Sequence, residues 1–203
     1  MVLQRVNLRV TDRIAPQVRF VVPQTGAVIG GERIVVQIRA SDEQSRLAQV
    51  ELDDGSGQWQ SLAPQDPAQG LYGANLPAGA DGVHHLRARA TDALGNMSDV
   101  VELDVEVDNT APQIEVTGVE HGGSHAAPAV AVIRITDAHA FTSSITVNEV
   151  PYVSGQPLPG PGSYLLEIIT TDLLGNVARQ VLKFDVGEGG EAGVVAPPPV
   201  KGK

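Results

Sequence analysis

The chain repeats itself. Thr91-Asp92-Ala93-Leu94-Gly95-Asn96 returns eighty residues later as Thr171-Asp172-Leu173-Leu174-Gly175-Asn176, and Asp12-Arg13-Ile14-Ala15-Pro16 foreshadows Asp108-Asn109-Thr110-Ala111-Pro112. Turns and junctions that recur in the same order mark successive copies of one folding unit, so two copies meet near residue 108. With 203 residues in the chain, each copy has roughly a hundred, enough to bury an apolar core without staples.

The pattern inside each copy has the period of a strand. Val6, Leu8 and Val10 alternate with polar residues, which predicts a terminal strand of a preceding unit over 1–12. In the first copy, Val18, Phe20 and Val22 alternate up to Pro23, and 34–40 is apolar enough for a central strand. Ala48, Val50 and Leu52 lead into Asp54-Gly55, a short hairpin signal followed by Trp59, which is expected in a partly covered position between strands. A weak strand at 71–74 follows. His84, Leu86, Ala88 and Ala90 then share the face predicted to line the core, and Ser98 to Asp108 is predicted as one long closing strand.

The second copy is shorter by about sixteen residues. Ala129 to Thr136 is its predicted buried run, Asn148-Glu149 turns the chain toward Tyr152, and 157–162 replaces a strand with a Pro/Gly loop. Tyr164, Leu166, Ile168 and Thr170 take the places of His84, Leu86, Ala88 and Ala90. Leu182, Phe184 and Val186 match Val101, Leu103 and Val105 one residue later than that offset, which predicts a bulge between Asn176 and Leu182. Short strands with close turns and no amphipathic helix predict an all-β fold of two tandem sandwiches, at 13–108 and 109–187, with a Gly/Pro-rich tail over 188–203.

A formal net charge of −10 argues against nucleic acid as a partner and favours cations. The absence of cysteine removes disulfide and thiolate chemistry. No apolar run is long enough to insert directly into a membrane as a helix, and the N-terminal residues lack the pattern of a signal peptide. The expectation is a segment of a longer exported polypeptide.

Both copies resemble the Ig-like repeats found in tandem in large bacterial secreted and surface proteins. In the first, Ala15-Pro16, the run from Val50 through Gly55 to Trp59-Gln60, Asp81-Gly82-Val83-His84 and Ala90 to Asn96 carry the likeness. In the second it is carried by Thr136-Asp137, Pro151 to Gly155, Gly162-Ser163-Tyr164 and Thr170 to Asn176. The resemblance implies two immunoglobulin-like sandwiches acting as a non-enzymatic rigid spacer or adhesive repeat, extracellular, at the cell surface or in the periplasm. It implies neighbouring Ig-like domains, and a cell-surface ligand, as partners. Two other roles stay open: a filament or coat subunit whose N-terminal strand completes a neighbour, and an accessory carbohydrate-binding module.

Calcium is the one cofactor the sequence raises. Asp92 with Asn96, and Asp172 with Asn176, bracket tight turns that Asp and Asn build unaided. A hard cation nevertheless seeks clustered oxygens, and some repeats of this kind hold calcium where domains meet, which makes Asp108, Asn109, Asp172, Asp92 and Asn96 the candidate ligands. His121 and His125 have a spacing that grips zinc only on a helix, and a surface loop is expected there. His84 and Tyr164 are expected to share a packing role, and no arrangement of nucleophile, base and oxyanion donors is apparent.

Overall fold

The computed structural model describes residues 12–188, so the terminal strand expected over 1–12 falls, save Asp12, outside the described residues, as does the tail from 189 onward. The chain divides into two units, Met1–Asn109 and Thr110–Lys203.

Unit 1 contains β1 (Gln17–Val22), β2 (Val28–Ile29), β3 (Arg33–Ser41), β4 (Leu47–Asp53), β5 (Gln60–Ser61), β6 (Pro64–Asp66), β7 (Leu71–Pro77), β8 (Gly82–Asp92) and β9 (Val101–Val107). They form a four-stranded sheet in the order β1-β3-β7-β6 and a five-stranded sheet in the order β2-β9-β8-β4-β5. The period of two sets the inner faces: Ile34, Val36, Ile38 and Ala40 on β3 are buried, as are Leu86, Ala88 and Ala90 on β8 and Leu103, Val105 and Val107 on β9. Asp54-Gly55 does not make a two-residue hairpin. Asp53 Oδ1 accepts the N–H groups of Gly55 and Gly57, each at 3.0 Å, and the carboxylate shapes a wider loop before β5.

Unit 2 contains β10 (Gln113–Thr117), β11 (Ser124–Ala126), β12 (Val132–Thr136), β13 (Phe141–Val147), β14 (Val150–Pro151), β15 (Gly162–Asp172) and β16 (Val177–Gly187). Its sheets are β10-β12 and β11-β16-β15-β13-β14. The Asn148-Glu149 turn holds both residues at positive φ, 49° and 67°, as a tight hairpin turn between β13 and β14 requires. Ala131, Leu166, Ile168, Phe184 and Val186 form the core, with Tyr164 stacked on Phe184 at 5.7 Å between ring centroids. The run predicted as buried over 129–136 is only half so. Ala129 and Ala131 are buried, while β12 alternates exposed and half-buried residues, the period of two turning Val132, Arg134 and Thr136 outward.

The repeat holds in the second sheet, and the extra residue lies elsewhere than predicted. β8 and β15 correspond at the expected offset, yet Gly82 pairs with Val107 where Gly162 pairs with Val186. The ladder β15–β16 runs unbroken from Gly162↔Val186 to Thr171↔Val177, so unit 2 has no bulge there. In unit 1 the Thr91↔Met97 bridge and the Ala88↔Val101 pair differ in register by one residue, so the extra residue sits just before β9. The closing strand accordingly begins at Val101 rather than Ser98.

Candidate metal centre

Three aspartates meet at one end of unit 1. Asp12 precedes β1, Asp42 follows β3 and Asp92 ends β8; one carboxylate oxygen from each lies within 4.8 Å of the others. Sequence neighbours build each corner. Asp92 Oδ1 accepts the N–H groups of Leu94 at 2.9 Å and Asn96 at 2.8 Å, and Gly95 at φ +93° closes the turn, a conformation that favours glycine. Asn96 Nδ2 donates to Asp92 Oδ2 at 2.7 Å and lies 3.3 Å from the Asp12 carbonyl, tying the turn to the entering chain. Asp42 Oδ1 accepts from the backbone of Gln44 and Ser45 at 2.9 and 2.7 Å. Asp12 Oδ1 accepts from Ile14 N–H at 2.9 Å.

The remaining oxygens are short of protons. Asp12 is 5% exposed, and its Oδ2 is buried with no partner among the described residues, as is Asp42 Oδ2. The Ser45 hydroxyl sits 3.1 Å from Asp42 Oδ1 and 3.0 Å from Asp92 Oδ2, with one proton between two carboxylates. Protonation of Asp92 or Asp42 does not relieve the crowding at neutral pH. Burial pushes the Asp92 carboxyl up, and the Asn96 side chain and backbone, the Ser45 hydroxyl and the Leu94 amide outweigh it and hold it at about 2. The Ser45 and Gln44 amides hold Asp42 below its ordinary value, with burial and the Asp92 charge pushing the other way. Buried anionic oxygens without donors are costly unless a cation neutralises them. A calcium ion about 2.4 Å from each oxygen places any two of them at most about 4.8 Å apart, which this cluster satisfies.

The remaining candidate ligands lie outside this cluster. Asp108 is 6% exposed and its N–H donates to the Ile29 carbonyl at 3.0 Å; Asn109 Oδ1 accepts Gly31 N–H at 2.6 Å. Both follow β9, at the far end of unit 1 from Asp92. In unit 2, Asp172 repeats the Asp92 turn, accepting from Leu174 and Asn176 N–H and from Asn176 Nδ2, each at 2.8 Å. Sequence reasoning missed Asp12 and Asp42. Asp42 directly follows β3 while Asp12 lies ahead of β1, and only the packing of the sheet holding β1 and β3 on the sheet holding β8 brings them to Asp92.

The imidazoles of His121, His125 and His84 each bond to backbone. His121 Nδ1 accepts Lys183 N–H at 3.2 Å, and His125 Nε2 accepts Glu120 N–H at 3.3 Å. His84 Nε2 donates to the Ala80 carbonyl at 2.8 Å and Tyr164 donates its hydroxyl to Gly160 at 2.7 Å, the same contact four residues back in each unit. Trp59, half-buried, lies against two guanidinium groups, Arg89 at 4.1 Å and Arg87 at 5.4 Å from its ring.

No family model matches the chain, and no curated protein matches it. Among solved structures it is similar to the fibronectin(III)-like modules of Clostridium thermocellum CbhA, at 16% identity over 85% of this chain and 95% of that one, with a TM-score of 0.43. It is also similar to the D00-D0 domain of intimin, at 17% identity over 83% of this chain and 99% of that one, TM-score 0.41. A third likeness is to the sialic acid binding region of a Streptococcus sanguinis adhesin, at 13% identity over 88% and 78%, TM-score 0.34. At these scores the likenesses carry no argument, and the class rests on the chain's own paired sheets: both units are Ig-like β-sandwiches.

Proposed function

We propose that this chain is a non-enzymatic spacer or adhesive repeat of an exported bacterial surface protein, and that calcium held by Asp12, Asp42 and Asp92 closes the entry to its first unit. The reading is carried by one observation: a 5% exposed carboxylate, Asp12, presents an unpartnered oxygen to two other carboxylates that stay ionised at neutral pH. A cation there links the chain entering β1 to the ends of β3 and β8, and so stiffens the segment through which load would reach the sandwich. The repeated sandwich suits a role in holding distance, although a fold of this kind does not by itself fix a function.

Equilibrium binding of calcium to the full chain tests this, with Asp12→Asn and Asp42→Asn against Glu43→Gln, an exposed neighbour, as the charge control. The wild type and the control should bind with the same affinity. Each aspartate variant should lose at least tenfold at one site, and unchanged binding in both variants would remove the cation from the account.

A further inference from the structure

Unit 2 builds its smaller sheet from two strands where unit 1 uses four. In unit 1, β3 is interior, with β1 on one side and β7 on the other, paired from Arg33↔Pro77 to Arg39↔Leu71. In unit 2, β12 pairs among the described residues with β10 alone, and the loop between β14 and β15 takes the place of β7. That loop reproduces rungs of a ladder with side chains. Ser154 Oγ accepts Ile133 N–H at 2.8 Å and donates to the Ile133 carbonyl at 3.0 Å, which are both bonds that a neighbouring strand would make. The Tyr152 hydroxyl accepts Ala131 N–H at 3.1 Å, and its single proton is shared by the carbonyls of Ala131 at 2.9 Å and Gln156 at 2.5 Å. Gly155 N–H also donates to the Ala131 carbonyl at 2.9 Å.

An uncovered strand edge is a template for another strand. We propose that the β12 edge is a strand-docking surface held shut by the Tyr152 and Ser154 hydroxyls, and that its occupant when this loop is displaced is the β12 edge of a second copy. The edge is self-complementary. Antiparallel pairing about Ile133 sets Val132, 46% exposed, opposite the partner's Arg134 in both halves, so no like charges oppose each other, and the Val-Ile-Arg-Ile-Thr run is rich in β-branched residues. The two hydroxyls cost the unit no strand and leave little backbone free to recruit one.

Light scattering across about a hundred-fold range of concentration, combined with amide hydrogen exchange, tests the assignment. The wild type should keep a constant mass. The Tyr152→Phe/Ser154→Ala double variant should exchange Ile133 at least tenfold faster when dilute, then gain mass toward a dimer and recover protection when concentrated. Ser154→Thr should restore the wild-type pattern in place of Ser154→Ala. Adding Val132→Lys places a lysine opposite Arg134 and should abolish the association. If the double variant does not fold, Ser154→Ala alone is read in the same way. A monomer with unchanged Ile133 exchange, or a dimer indifferent to Val132→Lys, overturns the proposal.

Discussion

Two residues show how a local choice becomes a structural one. Asp53 is fully buried at the end of β4, where its carboxylate pairs with the Arg87 guanidinium and accepts the Gly55 and Gly57 amides. Burial raises the Asp53 carboxyl, and Arg87 with the two amides outweighs it, so its pKa stands below the ordinary 3.8. A depressed carboxylate contributes stability that is fully present above its unfolded pKa and is lost as pH falls through the folded value. Acid unfolding followed by circular dichroism should therefore steepen below about pH 4 in the wild type, and Asp53→Asn should flatten that slope. Gly118, at φ +85°, faces the Val130 carbonyl, which an added Cβ would approach to 2.2 Å. Gly118→Ala should lower the stability of unit 2 by about 1–3 kcal/mol in denaturant titration, since backbone lies on the other side of the clash. Legibility at this scale follows locality. The bonds from Asp92 to Asn96 were readable because both partners sit in one turn, whereas Asp12 and Asp42 reach Asp92 only because the sheet of β1 and β3 packs on the sheet of β8.

Among the elements, the paired strands β8–β9 and β15–β16 carry the repeat and also a divergence of one residue. Their inward alternation was readable in full, because a half-buried strand writes its facing into every second residue. The bulge was not, since an alternation of period two hides a slip of two residues: the pairs Leu86↔Leu103 and Leu166↔Leu182 put Leu182 in the place of Leu103, not of Val101. The side chain of Ser98 marks it instead: its hydroxyl accepts Ala90 N–H at 2.9 Å and donates to the Asp99 carbonyl at 2.8 Å, where the ladder breaks. Ser98→Ala should leave that buried amide unpaired and cost about 1–3 kcal/mol, read as a shift in the denaturant midpoint with the slope unchanged. Ser98→Thr should retain most of the stability. The shorter second unit was also visible in advance as a Pro/Gly loop in place of a strand. That Tyr152 and Ser154 would replace the strand's hydrogen bonds was not, because hydroxyls bonded across a fold leave no periodic trace.

At the scale of the whole molecule, the tandem arrangement was legible because repetition survives in turns and junctions even where strand sequences drift. Calcium was an expectation from the sequence, and Asp92 is the only member of the three-carboxylate group that local pattern brought forward. A cation bound at that group, as proposed, would make stability depend on metal concentration, since a ligand bound only by the folded state shifts unfolding by mass action. Trp59 is the only tryptophan and lies in unit 1, so its fluorescence follows that unit specifically. The most direct measurement is thermal unfolding of the full chain followed at Trp59, in calcium and in excess chelator, for the wild type and for Asp12→Asn. Calcium should raise the wild-type midpoint by roughly 5–10 °C at saturation and leave the Asp12→Asn midpoint unmoved. A wild-type midpoint indifferent to calcium, or an equal rise in the variant, would contradict the claim that a cation completes the Asp12, Asp42 and Asp92 cluster.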